Sequence, residues 1–397
     1  MELSVRMSLI KPSSTISLTD KANKLRMEGK NICVLSIGQP DFDTPNHIKK
    51  AGIQAIFDGK TKYTAMDGTA ELKDAIIAKL RRDNQLEYKR DQICVGAGAK
   101  QVLFNLFMAT ISAGDEVIVP APYYDNYVDM VNIFGGVSVV IQCEKDFKLT
   151  PEQLKGKITR HTKWLILNSP NNPSGAVYSR DDLKGLAAVL LEYPHVNIIS
   201  DDIYEFITYD ETFCTIAQVE PKLYDRVFVV NGVSKAYAMT GWRIGYVVGD
   251  VKVIAAVTML QSLCTSNPNS IAQEAAVEAL NGDHSFMAER TATYRHRRDF
   301  VVSELGSMNG LSVARPQGAF YLFVSCKGVI NKRTKNGKLI ANDVDFAEYL
   351  LEDYLVCVVP GCSFGMANHI RICYAYSREQ LEVGCKRISA ACQALVD

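Results

Sequence analysis

The chain has 397 residues, more than one hydrophobic core usually holds, and this length predicts two domains. Its 47% apolar and 22% charged residues are typical of a globular protein and exclude a disordered or fibrous chain. The 44 basic side chains are balanced by 44 acidic ones, so no overall charge attracts nucleic acid or an anionic membrane.

The eleven cysteines favour a reduced protein. Their number is odd, no C-x-x-C pair occurs, and most lie in apolar runs such as Gln92–Val95. Buried thiols of a cytosolic protein explain this pattern better than a disulfide framework, and we predict no metal site. Residues 1–12 lack the apolar stretch of a signal peptide, and no later run reaches membrane-spanning length. We therefore expect a cytoplasmic protein that binds neither membrane nor nucleic acid.

Helical periodicity and short apolar runs alternate between residues 45 and 285. Helices are predicted at Pro45–Asp58, with Ile48, Ile53 and Ile56 inward, and at Gly68–Asn84. The runs predicted as strands are rich in Val and Ile and mostly lack polar alternation: Gln92–Gly98, Glu116–Ala121, Val137–Cys143, Lys163–Leu167, Val196–Ser200, Arg226–Val230 and Ile244–Gly249. Both faces of such strands are covered in a largely parallel sheet. We therefore predict an α/β large domain over residues 45–285, with helices on both faces of the sheet.

The last hundred residues show a different pattern. A basic helix is predicted around Thr291–Leu305, and its segment Tyr294–Arg298 is expected to be a solvated face. The remaining elements are a strand, a helix, a second strand and a closing helix: Ala319–Ser325, Asp343–Tyr354, His369–Tyr374 and a helix from Arg378. This order predicts a smaller α+β domain made of residues 286–397 and residues 1–44.

Polar residues follow the carboxyl ends of the fourth, fifth and sixth predicted strands. These residues are Asn172, Asp201 and Lys235, in chain order. A lone lysine in a loop is most often solvated, and an acid that ends a strand often caps the next helix. Ligands of open α/β sheets bind at this edge, so the three residues together predict a site.

The passages around these residues resemble a known family. They are Gly38–Pro45, Lys60–Tyr63, Asn168–Gly175, Ser200–Tyr204, Ser234–Gly245 and His369–Arg371. In this order and spacing the chain resembles the class I aminotransferases of pyridoxal-phosphate fold type I, and within them the bacterial aspartate or aspartate/prephenate subgroup. The resemblance implies a three-layer αβα large domain with a smaller α+β domain. It also implies pyridoxal 5′-phosphate as the cofactor, amino acids and 2-oxo acids as substrates, and a homodimer with shared active sites.

The resemblance assigns roles around the cofactor ring. Lys235 carries the cofactor as a Schiff base and moves the proton during catalysis. Asp201 keeps the pyridine nitrogen protonated, while Asn172 and Tyr204 bond the phenolic oxygen. Tyr124 stacks on the ring, where the family often has Trp.

Phosphate capture is expected at the start of a helix. Gly98, Ala99 and Lys100 end a G-x-G-x-K sequence that opens the predicted helix Gln101–Thr110, and a helix N-terminus attracts anions. By resemblance Arg243 clamps the phosphate, and Tyr63 reaches it from the neighbouring subunit. Where several relatives have Ser three residues before the lysine, this chain has Gly232, and Ser234 is expected to supply a hydroxyl instead.

The substrate contacts come from the same resemblance. Arg371, placed at the end of a strand, binds the α-carboxylate with help from the Gly38 amide. Lys100 binds the distal carboxylate with the hydroxyls of Ser13 and Thr15. Asn172 and Tyr124 complete the predicted substrate contacts.

These contacts favour aspartate as the donor and 2-oxoglutarate as the acceptor in a ping-pong cycle, with prephenate as a further substrate. The choice among aspartate, glutamate and prephenate stays open. Several alternatives stay open at this point. A β-eliminating lyase or a cyclopropane-forming synthase would use the same cofactor residues, although Lys100 with Ser13 and Thr15 argues against both. An aminotransferase for other amino acids would differ only in the distal contacts. A regulatory protein that keeps the fold is disfavoured because no DNA-binding extension occurs. A dehydrogenase is disfavoured because no G-x-G-x-x-G follows a strand.

Overall fold

A computed structural model gives the structure and describes residues 2–10 and 14–397, without the side chains of residues 14–16. The helices in this part of the chain are α1 (Ser14–Met27), α2 (Asn46–Phe57), α3 (Ala70–Asn84), α4 (Ala99–Thr110), α5 (Asn126–Ile133), α6 (Pro151–Lys155), α7 (Arg180–Glu192), α8 (Ile216–Val219), α9 (Val251–Cys264), α10 (Ser270–Asn281), α11 (Phe286–Gly306), α12 (Asp343–Tyr354) and α13 (Arg378–Gln393). The strands are β1 (Cys33–Val34), β2 (Ile93–Gly96), β3 (Glu116–Ala121), β4 (Val137–Gln142), β5 (Thr162–Asn168), β6 (Asn197–Asp201), β7 (Val227–Gly232), β8 (Gly245–Val248), β9 (Ser312–Val313), β10 (Tyr321–Ser325), β11 (Val356–Cys357), β12 (Val359–Pro360) and β13 (His369–Cys373).

Seven strands form the large sheet, in the order β2-β8-β7-β6-β5-β3-β4. All pairs are parallel except those of β8, which runs antiparallel to β2 and β7. Each of the seven strands predicted from apolar runs is present, with bounds that differ by no more than a few residues. The predicted α/β class with a mostly parallel sheet is confirmed.

Alternation along the strands sends side chains into two separate apolar layers. In β5, Leu165 and Leu167 join a core with residues of α3, α7 and α10, whereas Trp164 and Ile166 join a core with residues of α4, α5 and α9. Because both faces are buried, the strands read as continuous apolar runs in the sequence.

A second, four-stranded antiparallel sheet has the order β12-β13-β10-β9 and packs with α11, α12 and α13 around its own core. A short parallel pair joins β1 to β11, so the N-terminal segment contacts this part of the chain. The boundaries of the two domains at residues 45 and 285 stay a prediction. No helix among the described residues is both long and apolar enough to cross a membrane.

One local prediction was wrong, and a second was correct only in part. In α2 the buried residues are Ile48, Gly52 and Ala55, while Ile53 and Ile56 are each 54% exposed. The small residues face inward because the neighbours come close: a side chain at Gly52 would meet the ring of Trp242 at 2.7 Å.

The basic segment of α11 is the second correction. It is a solvated face only in part: Arg295 and His296 are exposed, whereas Tyr294 and Arg298 are buried. The Arg298 guanidinium pairs with Asp210 and Asp299 and donates to the Pro316 carbonyl oxygen at 3.1 Å. Asp299 is the next residue of α11, but Asp210 and Pro316 lie outside this helix in the sequence, so the pattern within the helix did not indicate them.

The cysteines agree with the expectation of buried thiols. All eleven lie in the described part of the chain and are free, and nine of them are buried.

An ion pair lies buried between α3 and the strand ends. Lys79 pairs with Glu205, and their side chains are 1% and 4% exposed. Asn84 and Asn231 donate side-chain hydrogen bonds to Glu205 at 2.9 and 2.7 Å, and Lys79 donates to Asn84 at 2.6 Å. The two charges are thus fully partnered, and removal of either one leaves the other buried without compensation.

We predict that Lys79→Met lowers the free energy of unfolding by about 3–5 kcal/mol, because the Glu205 charge loses its partner in a dry site. Urea unfolding followed by tryptophan fluorescence measures this loss, since Trp164 and Trp242 both pack beside the large sheet. Lys184→Met removes the exposed pair with Asp181 and serves as the control, with an expected loss below about 1 kcal/mol. Equal losses in the two variants would contradict the prediction.

Candidate active site

A cavity of about 510 Å³ opens where β5, β6 and β7 end, at the carboxyl edge of the large sheet. Ligands of open α/β sheets bind at this edge. Many residues singled out in the sequence line this one cavity: Gly38, Ala99, Lys100, Tyr124, Asn172, Asp201, Tyr204, Ser234, Lys235, Arg243 and Arg371. The structure therefore brings together most of the groups that sequence reasoning expected to meet.

Lys235 lies in the loop that follows β7. Its Nζ donates to the Gly38 carbonyl oxygen at 2.7 Å. Burial lowers the pKa of Lys235 from 10.5 to about 8, and the nearby cations Arg371 and Arg243 act in the same direction. A lysine with this pKa has an appreciable neutral fraction near neutral pH, and only the neutral amine is a nucleophile or a base.

Asp201 is the last residue of β6 and is 5% exposed. Its Oδ2 accepts a hydrogen bond from the Tyr127 hydroxyl at 2.5 Å, and its Oδ1 accepts a longer one from the Ile203 amide at 3.4 Å. Burial raises the pKa of Asp201 to about 6, while these hydrogen bonds and the charge of Lys235 lower it. The carboxylate is therefore a buried acceptor that faces a cationic neighbour.

Arg371 lies in the middle of β13, not at the end of a strand as predicted. Its two terminal nitrogens donate to Asn172 Oδ1 at 3.0 Å and to the Ser36 carbonyl oxygen at 2.6 Å. Its Nε is buried and has no hydrogen-bond partner in the described part of the chain. Because an unpartnered buried donor is costly, this guanidinium is suited to an anionic ligand.

Asn172 is held in place by Asn168, a residue to which sequence reasoning had assigned no role. Asn168 Oδ1 accepts from the Asn172 amide at 2.9 Å, and its Nδ2 donates to the Asp201 carbonyl oxygen at 2.9 Å. One side chain thus joins the turn after β5 to the end of β6.

Tyr204 shares a hydrogen bond with another residue that was missed. The hydroxyls of Tyr204 and Tyr321 lie 2.7 Å apart, and the Arg371 guanidinium stacks 4.8 Å from the Tyr321 ring. The Tyr321 hydroxyl also lies where a side chain at Gly38 would be. Glycine at position 38 is therefore required by the close approach of Tyr321.

A cradle for an anion forms at the start of α4. Gly98 precedes the helix with φ of 88°, in the left-handed region that favours glycine. The Arg243 guanidinium occupies the space that a side chain at Gly98 would need. It donates to the carbonyl oxygens of Ala97 and Thr240 at 3.2 and 2.9 Å. A helix N-terminus beside an arginine is a ready anion site.

Lys100 lies on the same side of the cavity, with its Nζ 5.5 Å from the Tyr124 ring centre. Burial lowers the pKa of Lys100, and the nearby Asp125 opposes this effect. Burial also raises the pKa of Asp125, against the charges of Arg371 and Lys100. The cavity thus offers two separate cations, Lys100 and Arg371, in addition to Arg243.

Not every predicted residue is among the described residues that line the cavity. Tyr63 is 88% exposed and lies in a separate groove with residues 265–270. Ser13 lies outside the described residues, as does the side chain of Thr15. At Gly232 a serine has no room, because its Cβ would meet the Ile244 carbonyl oxygen at 2.8 Å and the Gly245 Cα at 2.9 Å.

The family follows from comparison with known proteins. The family described as aminotransferase class I and II matches residues 30–388. The chain belongs to this family. The resemblance drawn from the sequence motifs is therefore confirmed, and the protein is an aminotransferase rather than a dehydrogenase or a regulatory protein. The family uses pyridoxal phosphate and acts on amino acids and 2-oxo acids.

The similarity extends over the whole chain. A probable aspartate/prephenate aminotransferase from Rickettsia felis is 50% identical over 99% of this chain and 97% of its own length. The aspartate aminotransferase of Rhizobium meliloti is 50% identical over 98% of this chain and 96% of its own length. The crystal structure of an aspartate aminotransferase from Rhizobium meliloti is 50% identical and aligns over 100% of this chain and 100% of its own, with a TM-score of 0.97. The Thermus thermophilus enzyme with maleate is 39% identical, with a TM-score of 0.92 over 98% of this chain and 100% of its own.

Proposed function

We propose that this aminotransferase moves the amino group of aspartate to 2-oxoglutarate in a ping-pong cycle, with prephenate as a further amino acceptor. The names of the similar proteins support this choice of substrates. The observation that carries it is the cavity itself. Lys235 and Asp201 lie there together with two cations, Lys100 and Arg371, that suit a substrate with two carboxylates.

The residues of the cavity fit pyridoxal 5′-phosphate. The start of α4 and Arg243 would hold the phosphate, because together they form an anion cradle that a side chain at Gly98 would fill. Asp201 would meet the ring nitrogen, and Tyr124 would cover one face of the ring. Asn172, Tyr204 and Ser234 supply further hydrogen-bonding groups. When bound, the cofactor withdraws electrons from the α-carbon of the substrate.

The substrate would bind between the two cations. Arg371 would pair with the α-carboxylate, and its buried Nε supplies a donor that has no partner among residues 2–10 and 14–397 as described. Lys100 would pair with the distal carboxylate, assisted by Ser13 and Thr15. Lys235 would then take the proton from the α-carbon and deliver it to the cofactor, which its pKa of about 8 permits near neutral pH.

We also propose that the protein is a cytoplasmic homodimer, with a large domain at residues 45–285 and a small domain made of residues 1–44 and 286–397. Exposed apolar side chains support an interface near Tyr63. Met259 and Leu263 on α9 are 67% and 81% exposed, and α9 leads directly into the groove that contains Tyr63. In such a dimer Tyr63 would reach the phosphate of the neighbouring subunit.

The role of Lys235 is tested by substitution and by chemical trapping. We expect Lys235→Ala to fold but to lose at least about two to four orders of magnitude in turnover, because general acid–base catalysis is removed. Borohydride reduction of the wild-type protein with pyridoxal phosphate should add the cofactor mass to the tryptic peptide Val227–Arg243, and the variant should not gain it. Near wild-type turnover in the purified variant would refute the assignment.

The choice of a dicarboxylic substrate is tested at Lys100. Lys100→Ala should lower kcat/KM for aspartate relative to alanine by about tenfold or more, because only aspartate would leave a charge unpaired. Both substrates need Arg371, so that contact cancels in the ratio. Lys163→Ala is the matched control, since Lys163 pairs with Asp115 at the far end of β5. An unchanged ratio at saturating cofactor would remove Lys100 from the substrate site.

Release of ammonia from the amino acid would instead indicate a lyase.

The shared site is tested with mixed dimers. Tyr63→Phe should weaken cofactor binding by about tenfold or more, the worth of a hydrogen bond to a charged group. In a hybrid of Tyr63→Phe and Lys235→Ala subunits, the site that keeps Lys235 would receive its Tyr63 from the other subunit. Its cofactor affinity should therefore return to the wild-type value. A site that stays weak in the hybrid, or a fully active monomer by light scattering, would contradict this arrangement.

A further inference from the structure

We propose that Tyr127 is a positioning residue for Asp201: its phenol fixes one carboxylate oxygen and leaves the other to the ring nitrogen of the cofactor. This inference rests on the proposed function, in which Asp201 meets that nitrogen. Tyr127 is the second residue of α5 and follows Tyr124 by three positions. Neither the sequence motifs nor the resemblance had drawn attention to it.

The contact itself is short and buried. Tyr127 is 1% exposed, Asp201 is 5% exposed, and the Tyr127 hydroxyl donates to Asp201 Oδ2 at 2.5 Å. This distance is typical of an O–H donor on an ionised acceptor. An ionised carboxylate can only accept, so the phenol supplies the proton of this hydrogen bond.

The contact leaves the two oxygens of Asp201 with different roles. Oδ2 is occupied by the phenol, whereas Oδ1 accepts, among the residues that the structure describes, only from the Ile203 amide at 3.4 Å. Oδ1 is therefore the oxygen that remains for a strong donor in the cavity that Asp201 lines. A protonated ring nitrogen is such a donor.

The charges around the pair keep the proton on the phenol. Burial and the neighbouring Asp201 raise the pKa of Tyr127 well above its ordinary value. For Asp201, burial raises the pKa, and the Tyr127 hydrogen bond is the first of the effects that lower it. The other titratable groups that act on this pair are Lys235, Asp202 and Tyr124. Without the phenol, Asp201 would be more basic and would compete with the ring nitrogen for its proton.

The inference is tested by Tyr127→Phe, which removes the hydroxyl and keeps the ring in the apolar layer. The variant and the wild type are loaded with pyridoxal phosphate labelled with ¹⁵N in the ring, and the nitrogen resonance is recorded near neutral pH. We expect a protonated nitrogen in the wild type and a resonance shifted toward the unprotonated position in the variant. The affinity of the apoprotein for pyridoxal phosphate should fall, and kcat should fall about tenfold or more while KM for aspartate changes little.

Tyr178→Phe is the matched control. Tyr178 is a buried tyrosine whose hydroxyl accepts from the Leu149 amide at 2.8 Å, so its loss also removes one buried hydrogen bond. It should leave the nitrogen resonance unchanged. A 3-fluorotyrosine at position 127 keeps the hydroxyl and should retain the wild-type resonance. Its ¹⁹F signal should shift when pyridoxal phosphate binds, which gives a readout even where the phenylalanine variant does not fold.

The outcomes distinguish a failure of the role of Tyr127 from a failure of the role of Asp201. The role of Tyr127 alone is overturned if the nitrogen is protonated in the wild type and its resonance is identical in Tyr127→Phe. The same holds if the ¹⁹F signal does not shift when pyridoxal phosphate binds. An unprotonated nitrogen in the wild type overturns the proposed role of Asp201, and the role of Tyr127 falls with it. A shifted resonance in Tyr127→Phe but not in Tyr178→Phe supports the inference.

Discussion

The register of three parallel strands determines where the groups of the site lie. Asn168 at the end of β5 pairs with Asp201 at the end of β6, and Asp201 pairs in turn with Val230 of β7. Because the strands are parallel and in step, all three chains leave the sheet at the same edge. The turn with Asn172 and the loop with Lys235 therefore meet near Asp201, in the cavity that all three residues line.

Burial gives these groups their chemistry and also makes them costly. The same desolvation that lowers the pKa of Lys235 to about 8 raises that of Asp201 to about 6, and each group partly compensates the other. Behind them lies the Lys79–Glu205 ion pair. Glu205 belongs to the segment after Asp201, and it accepts a hydrogen bond from Asn231, which lies four residues before Lys235. A buried ion pair contributes little net stability. Its connection of two site-bearing segments gives it a structural role at this edge.

The sequence was sufficient for the parts of the structure that depend on local patterns. Apolar runs located the seven strands, and the order of polar residues after them located the edge that carries the cavity. Tyr127 and Tyr321 escaped notice because their partners, Asp201 and Tyr204, lie 74 and 117 residues away and leave no periodic signal. Ile53 and Ile56 were predicted to face inward because they are apolar. They are exposed because the close packing around Gly52 admits only small residues at that part of the inner face of α2. Local patterns thus predict elements well and close contacts poorly.

The one reversed strand explains how the anion cradle reaches this edge. Since β8 is antiparallel to its neighbours, its first residue, Gly245, lies at the carboxyl edge, level with Gly96 of β2 and Gly232 of β7. Any side chain in this row of glycines would collide: at Gly245 it would meet the Ala99 amide, and at Gly232 the backbone of β8. The missing side chains let the start of α4 approach the sheet, and the reversal brings Arg243, two residues before Gly245, to the same place. Glycine at position 232 is therefore a packing requirement of the cradle in this chain.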